Sequence, residues 1–170
     1  RPITINGGMT MRGRYDITSL DRNGNQDEDG ILQSVGDLRK LIDRELDRGI
    51  PQNKIIIAGF SQGGAIAIYT ALTLASELGG LIALSTYMPL EKKFTDLAKN
   101  SKKIQSSKLP IFFAHGSYDP VIPLSYGEKT KSFIEQFGYT VDWNEYPIEH
   151  SVSQREIKDI GQWISRVLEL

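Results

Sequence analysis

The chain has 170 residues, and its 20 Lys and Arg against 21 Asp and Glu give a net charge of −1, which leaves no electrostatic case for nucleic acid or an anionic membrane as a partner. Cysteine is absent; this excludes a thiol nucleophile and a disulfide framework, and suits a reducing, cytoplasmic setting. No stretch is long and apolar enough to span a bilayer, and a complete domain of this length buries roughly 70% of its unfolded surface.

The first segment with a readable pattern, Asp21 to Asp29, is polar, acidic and glycine-containing, and predicts a loop. From Gly30 onward, Ile31, Leu32, Val35, Leu38, Leu41, Ile42 and Leu46 recur at helical spacing, and Gly49 and Pro51 close the run. The apolar run Lys54 to Ala58 predicts a strand, and the small-residue run Gly64 to Ala67 predicts a helix. Leu81 to Leu84 has the look of a short buried strand. Glu91 to Lys108 is rich in Lys and Ser, with Phe94 and Leu97 as apolar exceptions, and predicts a solvated loop with a short helix. Ile111 to Ala114 predicts another strand, Pro123 to Phe137 a helix stopped by Gly138, and Thr140 to Tyr146 a further strand. Arg155 to Leu170 closes the chain as an amphipathic helix through Ile157, Ile160, Trp163, Ile164, Val167 and Leu168. Strands alternating with helices argue an α/β fold on a largely parallel sheet. With no repeats, linkers or low-complexity tracts, residues 1–170 read as one domain.

Between the strand and the helix around residue 60 lies Gly59-Phe60-Ser61-Gln62-Gly63. A G-x-S-x-G turn in that setting is a nucleophile elbow. Its glycines remove Cβ atoms that would clash where the chain reverses, so that Ser61 can hold a strained backbone with its hydroxyl exposed. The plainer alternative is a tight strand-to-helix turn with a surface serine.

A serine nucleophile needs a base, and the chain offers two histidines. His150 lies between the Thr140–Tyr146 run and the last helix; His115 ends the Ile111–Ala114 run. Hydrolases with this elbow order their triad Ser, then Asp or Glu, then His. His150 satisfies the order with Asp119 as the acid. His115 precedes Asp119 and breaks it, so His115 is expected to be a structural residue bonded to nearby backbone. Asp119 also opens an Asp-Pro sequence, as turn aspartates do. The apolar Val121-Ile122-Pro123 beside it argues instead for a partly buried carboxylate, which needs a partner. Asp142, Glu145 and Glu149 are rival acids close to His150 in sequence, but none has the triad order.

With these roles His150 takes the Ser61 proton during attack on an acyl carbonyl, and Asp119 holds the imidazole in the required tautomer. The backbone N–H of Gln62 donates to the oxyanion, aided by the positive end of the following helix. Acyl-ester or thioester hydrolysis is the reaction class. The stretch from Glu91 to Lys108 has a second reading here, as a mobile flap over the acyl site. A metal is not expected, since two distant histidines without cysteine make a poor zinc set and Asp27-Glu28-Asp29 lacks a calcium-loop pattern. A nucleotide is not expected either, because Gly59 to Gly64 carries no phosphate-binding lysine.

Ala58 to Gly64, Leu84-Ser85-Thr86-Tyr87-Met88-Pro89, His115 to Pro123 and Glu149-His150-Ser151 together resemble the phospholipase/carboxylesterase family, which includes the acyl-protein thioesterases. Asn6-Gly7-Gly8-Met9 and Tyr15-Asp16-Ile17 look like that family's segment upstream of the first helix here. The likeness covers essentially the whole chain. It implies an α/β-hydrolase fold with Ser61, Asp119 and His150 as triad and no cofactor. The implied substrates are short- to medium-chain acyl esters, lysophospholipids or S-acylated molecules, and a homodimer is a family-level expectation. A non-catalytic binding scaffold or an inactive fragment is the competing reading.

Two departures from the family pattern stand out. Arg14 replaces a tryptophan that usually precedes the Tyr-Asp pair. The chain also opens at Arg1 without an initiator methionine, and without the family's first strand, its His-Gly-Leu-Gly-like loop and the next strand; it reads as N-terminally truncated, and a signal peptide upstream stays open. The absent loop would supply a second oxyanion donor, worth about 10²–10³ in rate. The absent strand would leave the Ser61 strand with an open edge. On these grounds the chain is expected to be poorly active or unstable alone.

Overall fold

The computed structural model describes residues 2–4, 10–13, 15, 26–74, 77–105 and 108–169. The sequence readings on residues 6–9, 14, 16–17 and 21–25 lie outside these. A short antiparallel hairpin, β1 (Pro2–Thr4) and β2 (Thr10–Arg12), pairs Ile3 with Met11. The main sheet holds β3 (Ile56–Phe60), β4 (Gly80–Leu84), β5 (Ile111–Gly116) and β6 (Val141–Tyr146), all parallel and in chain order. This is the α/β arrangement expected from the alternation of strand and helix patterns.

Helix α1 (Glu28–Asp47) starts two residues before the apolar pattern begins. The cause is local: the Asp27 carboxylate accepts from the Gly30 N–H at 2.9 Å, and Glu28 and Asp29 sit at the positive end of the helix. Gly49, with φ of +86°, takes the chain out of the helix in the left-handed region. β3 begins at Ile56 rather than Lys54 because Gln52–Lys54 forms a 3-10 turn after Pro51. From there it runs on through Gly59 to Phe60.

Alternation along the strands gives the sheet two apolar faces. Ile57, Leu81, Ala83, Ile111, Phe113 and Val141 face one core, shared with α1, α2 (Gln62–Leu74) and α5 (Leu124–Glu135). Ile82, Phe112 and Ala114 face the other, closed by Trp163, Ile160, Ile164 and Val167 of α6 (Gln154–Leu168). A capping box starts α6, with the Ser153 side chain on the Glu156 N–H and the Glu156 carboxylate on the Ser153 N–H. That box draws Glu156 into the protein and leaves Ile157, expected on the apolar face, 54% exposed. β5 is buried at every position, as a central parallel strand covered on both faces should be.

The stretch from Glu91 to Lys108 holds the short helix expected of it, and is more ordered than the rest of that reading allows. It forms α3 (Glu91–Lys99) and α4 (Lys102–Gln105), and Phe94 is fully buried with its ring edge-on to Phe133 and Phe137. A side chain held in that way contributes roughly 1.5–3 kcal/mol, so α3 is fastened to the core through Phe94. Leu97, the other apolar exception, is exposed. Among the described residues β3 pairs with β4 alone and forms one edge of the main sheet. No helix among them is long and apolar enough to cross a membrane.

Candidate active site

All the relevant side chains come from the C-terminal ends of the strands, where an open α/β sheet places its ligand crevice. At the end of β3, Ser61 adopts φ of +53°, a left-handed conformation rare for a residue with a side chain. Its N–H donates to the Leu84 carbonyl at 2.8 Å, and its carbonyl accepts from the Ala65 N–H at 3.1 Å, the first turn of α2. Two glycines make this turn possible. A Cβ on Gly59 would fall 2.6 Å from the Gly64 nitrogen, and one on Gly64 would fall 2.7 Å from the Thr86 side chain. Gly63, the second glycine of the motif, faces open space. The crowded pair is therefore Gly59 and Gly64, a correction to the reading of the pentapeptide.

The structure brings Ser61, His150 and Asp119 together from three separate strand ends. His150 Nε2 lies 2.9 Å from Ser61 Oγ, and His150 Nδ1 lies 2.7 Å from Asp119 Oδ2. The other Asp119 oxygen accepts from the N–H groups of Val121 and Ile122, each at 2.8 Å. Burial pushes the Asp119 carboxyl up, but the hydrogen bonds from His150, Ile122 and Val121 outweigh it and hold the group below its ordinary range. An ionised Asp119 accepts, so Nδ1 carries the imidazole proton and Nε2 is left to accept from the serine hydroxyl. The Asp119 side chain is fully buried, while that of His150 is partly open. Two of the rival acids are engaged elsewhere: Asp142 pairs with Arg166 at 2.7 Å, and Glu145 accepts from the Trp143 indole at 2.8 Å.

His115 is buried beneath this group, and its Nε2 bonds to the Ile122 carbonyl at 2.9 Å, the backbone partner expected of a structural histidine. Desolvation lowers its pKa, against opposing effects of the Ile122 carbonyl and Asp119. Gln62 opens α2, so its N–H belongs to the first turn of that helix, and its side-chain amide donates to the Tyr15 carbonyl at 2.6 Å.

Sequence reasoning overlooked three supporting contacts. Thr86 Oγ1 donates to the Ser61 carbonyl at 2.7 Å. The Phe60 ring lies against that of His150. Tyr15 and Tyr87 share a buried hydroxyl–hydroxyl bond of 2.8 Å, and burial raises the pKa of both. Thr86 and Tyr87 stood inside a motif already noted, but nothing in a string of residues shows which neighbouring strand end a hydroxyl reaches.

A groove of about 1020 Å³ runs beside β3 and α1, with Leu38, Leu41, Phe60 and Ile66 among its walls and Ser61 and Gln62 at one side. Gln33, Ser34 and Asp37 of α1 line it as well, so polar and apolar groups share its walls, and it follows the edge of β3 that has no partner strand among the described residues. Among the described residues no group of three or more His, Cys, Asp or Glu is placed to hold a metal.

The sequence profile of the phospholipase/carboxylesterase family matches residues 1–168. Acyl-protein thioesterase 1 of Neurospora crassa is 40% identical over 173 residues, an alignment covering 98% of this chain and 70% of that protein. Acyl-protein thioesterase 1 of Yarrowia lipolytica is also 40% identical, over 96% of this chain and 72% of the relative. Among solved structures, SOBER1 of Arabidopsis thaliana superposes with a TM-score of 0.86 at 29% identity, covering 98% of this chain and 79% of that one. Acyl-protein thioesterase 2 of Zea mays has the same fold, with a TM-score of 0.87 at 22% identity, over 99% and 78% of the two chains. The chain is thus a hydrolase with the α/β-hydrolase fold, and it belongs to the phospholipase/carboxylesterase family.

Proposed function

We propose that this single α/β-hydrolase domain cleaves carboxylic esters or thioesters of short- to medium-chain acyl groups through Ser61, His150 and Asp119. The observation that carries this reading is the continuous hydrogen-bond chain from Ser61 Oγ through His150 to Asp119. His150 takes the Ser61 proton as Oγ attacks the acyl carbon, and Asp119 stabilises the imidazolium that forms. The Gln62 N–H, at the positive end of α2, donates to the oxyanion. Collapse expels an alcohol or thiol that receives the proton from His150, and water then cleaves the acyl-enzyme by the same steps in reverse roles. The groove beside Ser61 takes the acyl group, against Leu38, Leu41, Phe60 and Ile66 among its mixed walls. Lysophospholipids and S-acylated substrates both present such a group, and the names of the 40% identical relatives favour the latter.

The test is hydrolysis of p-nitrophenyl esters and an acyl thioester over a chain-length series, with fluorophosphonate labelling in parallel. Ser61→Ala is expected to lose about 10⁴-fold or more in kcat and all labelling. Folded protein whose only activity survives Ser61→Ala would overturn the reading in favour of a non-catalytic scaffold. The length profile then defines the acyl group accepted.

A further inference from the structure

β3 and β4 end side by side, Phe60 in register with Leu84, and each is followed by a serine in the left-handed region: Ser61 with φ of +53° and Ser85 with φ of +44°. The turn at Ser85 carries Thr86 to the elbow. Thr86 is fully buried there, and its hydroxyl donates to the Ser61 carbonyl at 2.7 Å.

That carbonyl belongs to the peptide unit joining Ser61 to Gln62. The chain contains no cis peptide among its described residues, so the unit is planar and trans, with the Gln62 N–H pointing opposite to the Ser61 C=O. Fixing the carbonyl fixes the N–H. A hydrogen bond accepted at the oxygen also polarises the amide and strengthens its N–H as a donor.

From this geometry we infer that Thr86 is a positioning residue for the oxyanion site: its hydroxyl holds the Ser61–Gln62 peptide plane so that the Gln62 N–H faces the charge developing on the substrate oxygen. The inference rests on Ser61 being the nucleophile. It concerns the hydroxyl and not merely the bulk of Thr86, although the methyl and Cβ press on Gly64 so closely that no side chain fits there. The Ser61 carbonyl retains the Ala65 N–H at 3.1 Å, so removing the hydroxyl leaves the start of α2 bonded. The consequence falls on catalysis more than on folding.

Three variants separate these effects in the full chain: Thr86→Val keeps the shape and loses the hydroxyl, Thr86→Ser keeps the hydroxyl and loses the methyl, and Ser61→Ala reports on the nucleophile. Thr86→Val is expected to lower kcat for ester hydrolysis about 10-fold, a fraction of what loss of a whole oxyanion donor costs, at unchanged KM. Its affinity for an alkylboronic acid, which forms a tetrahedral adduct on a serine, should fall by the same factor. Thr86→Ser should stay within about 3-fold of the parent in both, whatever its melting temperature. Equal activity of the Val and Ser variants, or a loss confined to KM, overturns the proposal. If Thr86→Val does not fold, Thr86→Ala takes its place against Thr86→Ser with the same required ranking. Hydrolysis that survives Ser61→Ala sinks the nucleophile reading and the role of Thr86 with it. Hydrolysis lost in Ser61→Ala but unaltered in Thr86→Val sinks only the latter.

Discussion

The ring of Phe60 lies 4.7 Å from that of His150, centroid to centroid, at an interplanar angle of 46°. Phe60 is the residue between Gly59 and Ser61, so one tight turn supplies both the hydroxyl that His150 reaches and a wall for its imidazole. Ring pairs of this kind contribute about 0.5–1.5 kcal/mol beyond the area they bury. If that energy is spent on holding the imidazole in line, Phe60→Ala should lower kcat by roughly 2- to 12-fold. Phe60→Leu, which keeps an apolar wall, should lose less. Steady-state kinetics on one p-nitrophenyl ester decides the matter, and equal kcat in all three proteins would remove Phe60 from the account of His150.

Asp119→Asn tests the acid separately from the backbone around it. The amide oxygen can keep the Val121 and Ile122 N–H bonds now made by Oδ1, so the turn survives. Its NH₂ then faces His150 Nδ1 and forces the proton onto Nε2, the nitrogen that must accept from Ser61. A loss of about 10⁴-fold in kcat is expected in protein that still folds. A loss below 10-fold would mean that the Asp119–His150 bond serves structure and not catalysis.

Much of this site was legible in the chain because its parts are local or ordered. The elbow is one short string between a strand pattern and a helix pattern. His150 and Asp119 follow from chain order and from having only two histidines to choose between. The parallel sheet follows from alternation, and Gly138 stops its helix with φ of +86° as a glycine there should. What stayed hidden depends on distances across the fold. Thr86 gains its meaning from the strand that lies beside it. Gly64, outside the formal motif, proves more crowded than Gly63 because Thr86 presses on it. A short helix between Glu91 and Lys108 was legible, but its anchoring was not: one buried aromatic among lysines gives no periodicity, and Phe94 declares itself only when Phe133 and Phe137 arrive from α5 and its end.

That anchoring makes a stability prediction. Phe94 is fully buried in the core of α1, α2 and α5, and truncating such a ring costs about 3–5 kcal/mol. Leu97, three residues on, is 45% exposed; Leu97→Ala should cost no more than about 0.5 kcal/mol. Urea denaturation of both variants checks the contrast. Similar midpoints for the two would mean that α3 is held no more firmly at Phe94 than at its exposed face.

Two buried carboxyls should bend the pH dependence of stability in opposite directions. Burial raises the pKa of Glu156, against the opposing bond from the Ser153 N–H. A raised folded-state pKa means that its contribution is fully present below the ordinary glutamate value of about 4.3 and is lost as pH rises through the folded value. Asp119, held below its ordinary range, contributes fully above about pH 4 and loses that contribution as pH falls through its depressed value. Acidification from neutral pH should therefore first relieve Glu156 and only later cost Asp119. Glu156→Gln keeps an oxygen for the Ser153 N–H and cannot ionise, so its melting temperature should exceed the parent's at pH 7 and converge with it near pH 4. Asp119→Asn should instead flatten the fall below pH 4. Melting curves of the three proteins from pH 3 to pH 8 test this, and a Glu156→Gln profile parallel to the parent throughout would show that the Glu156 carboxyl titrates alike in the folded and unfolded chain.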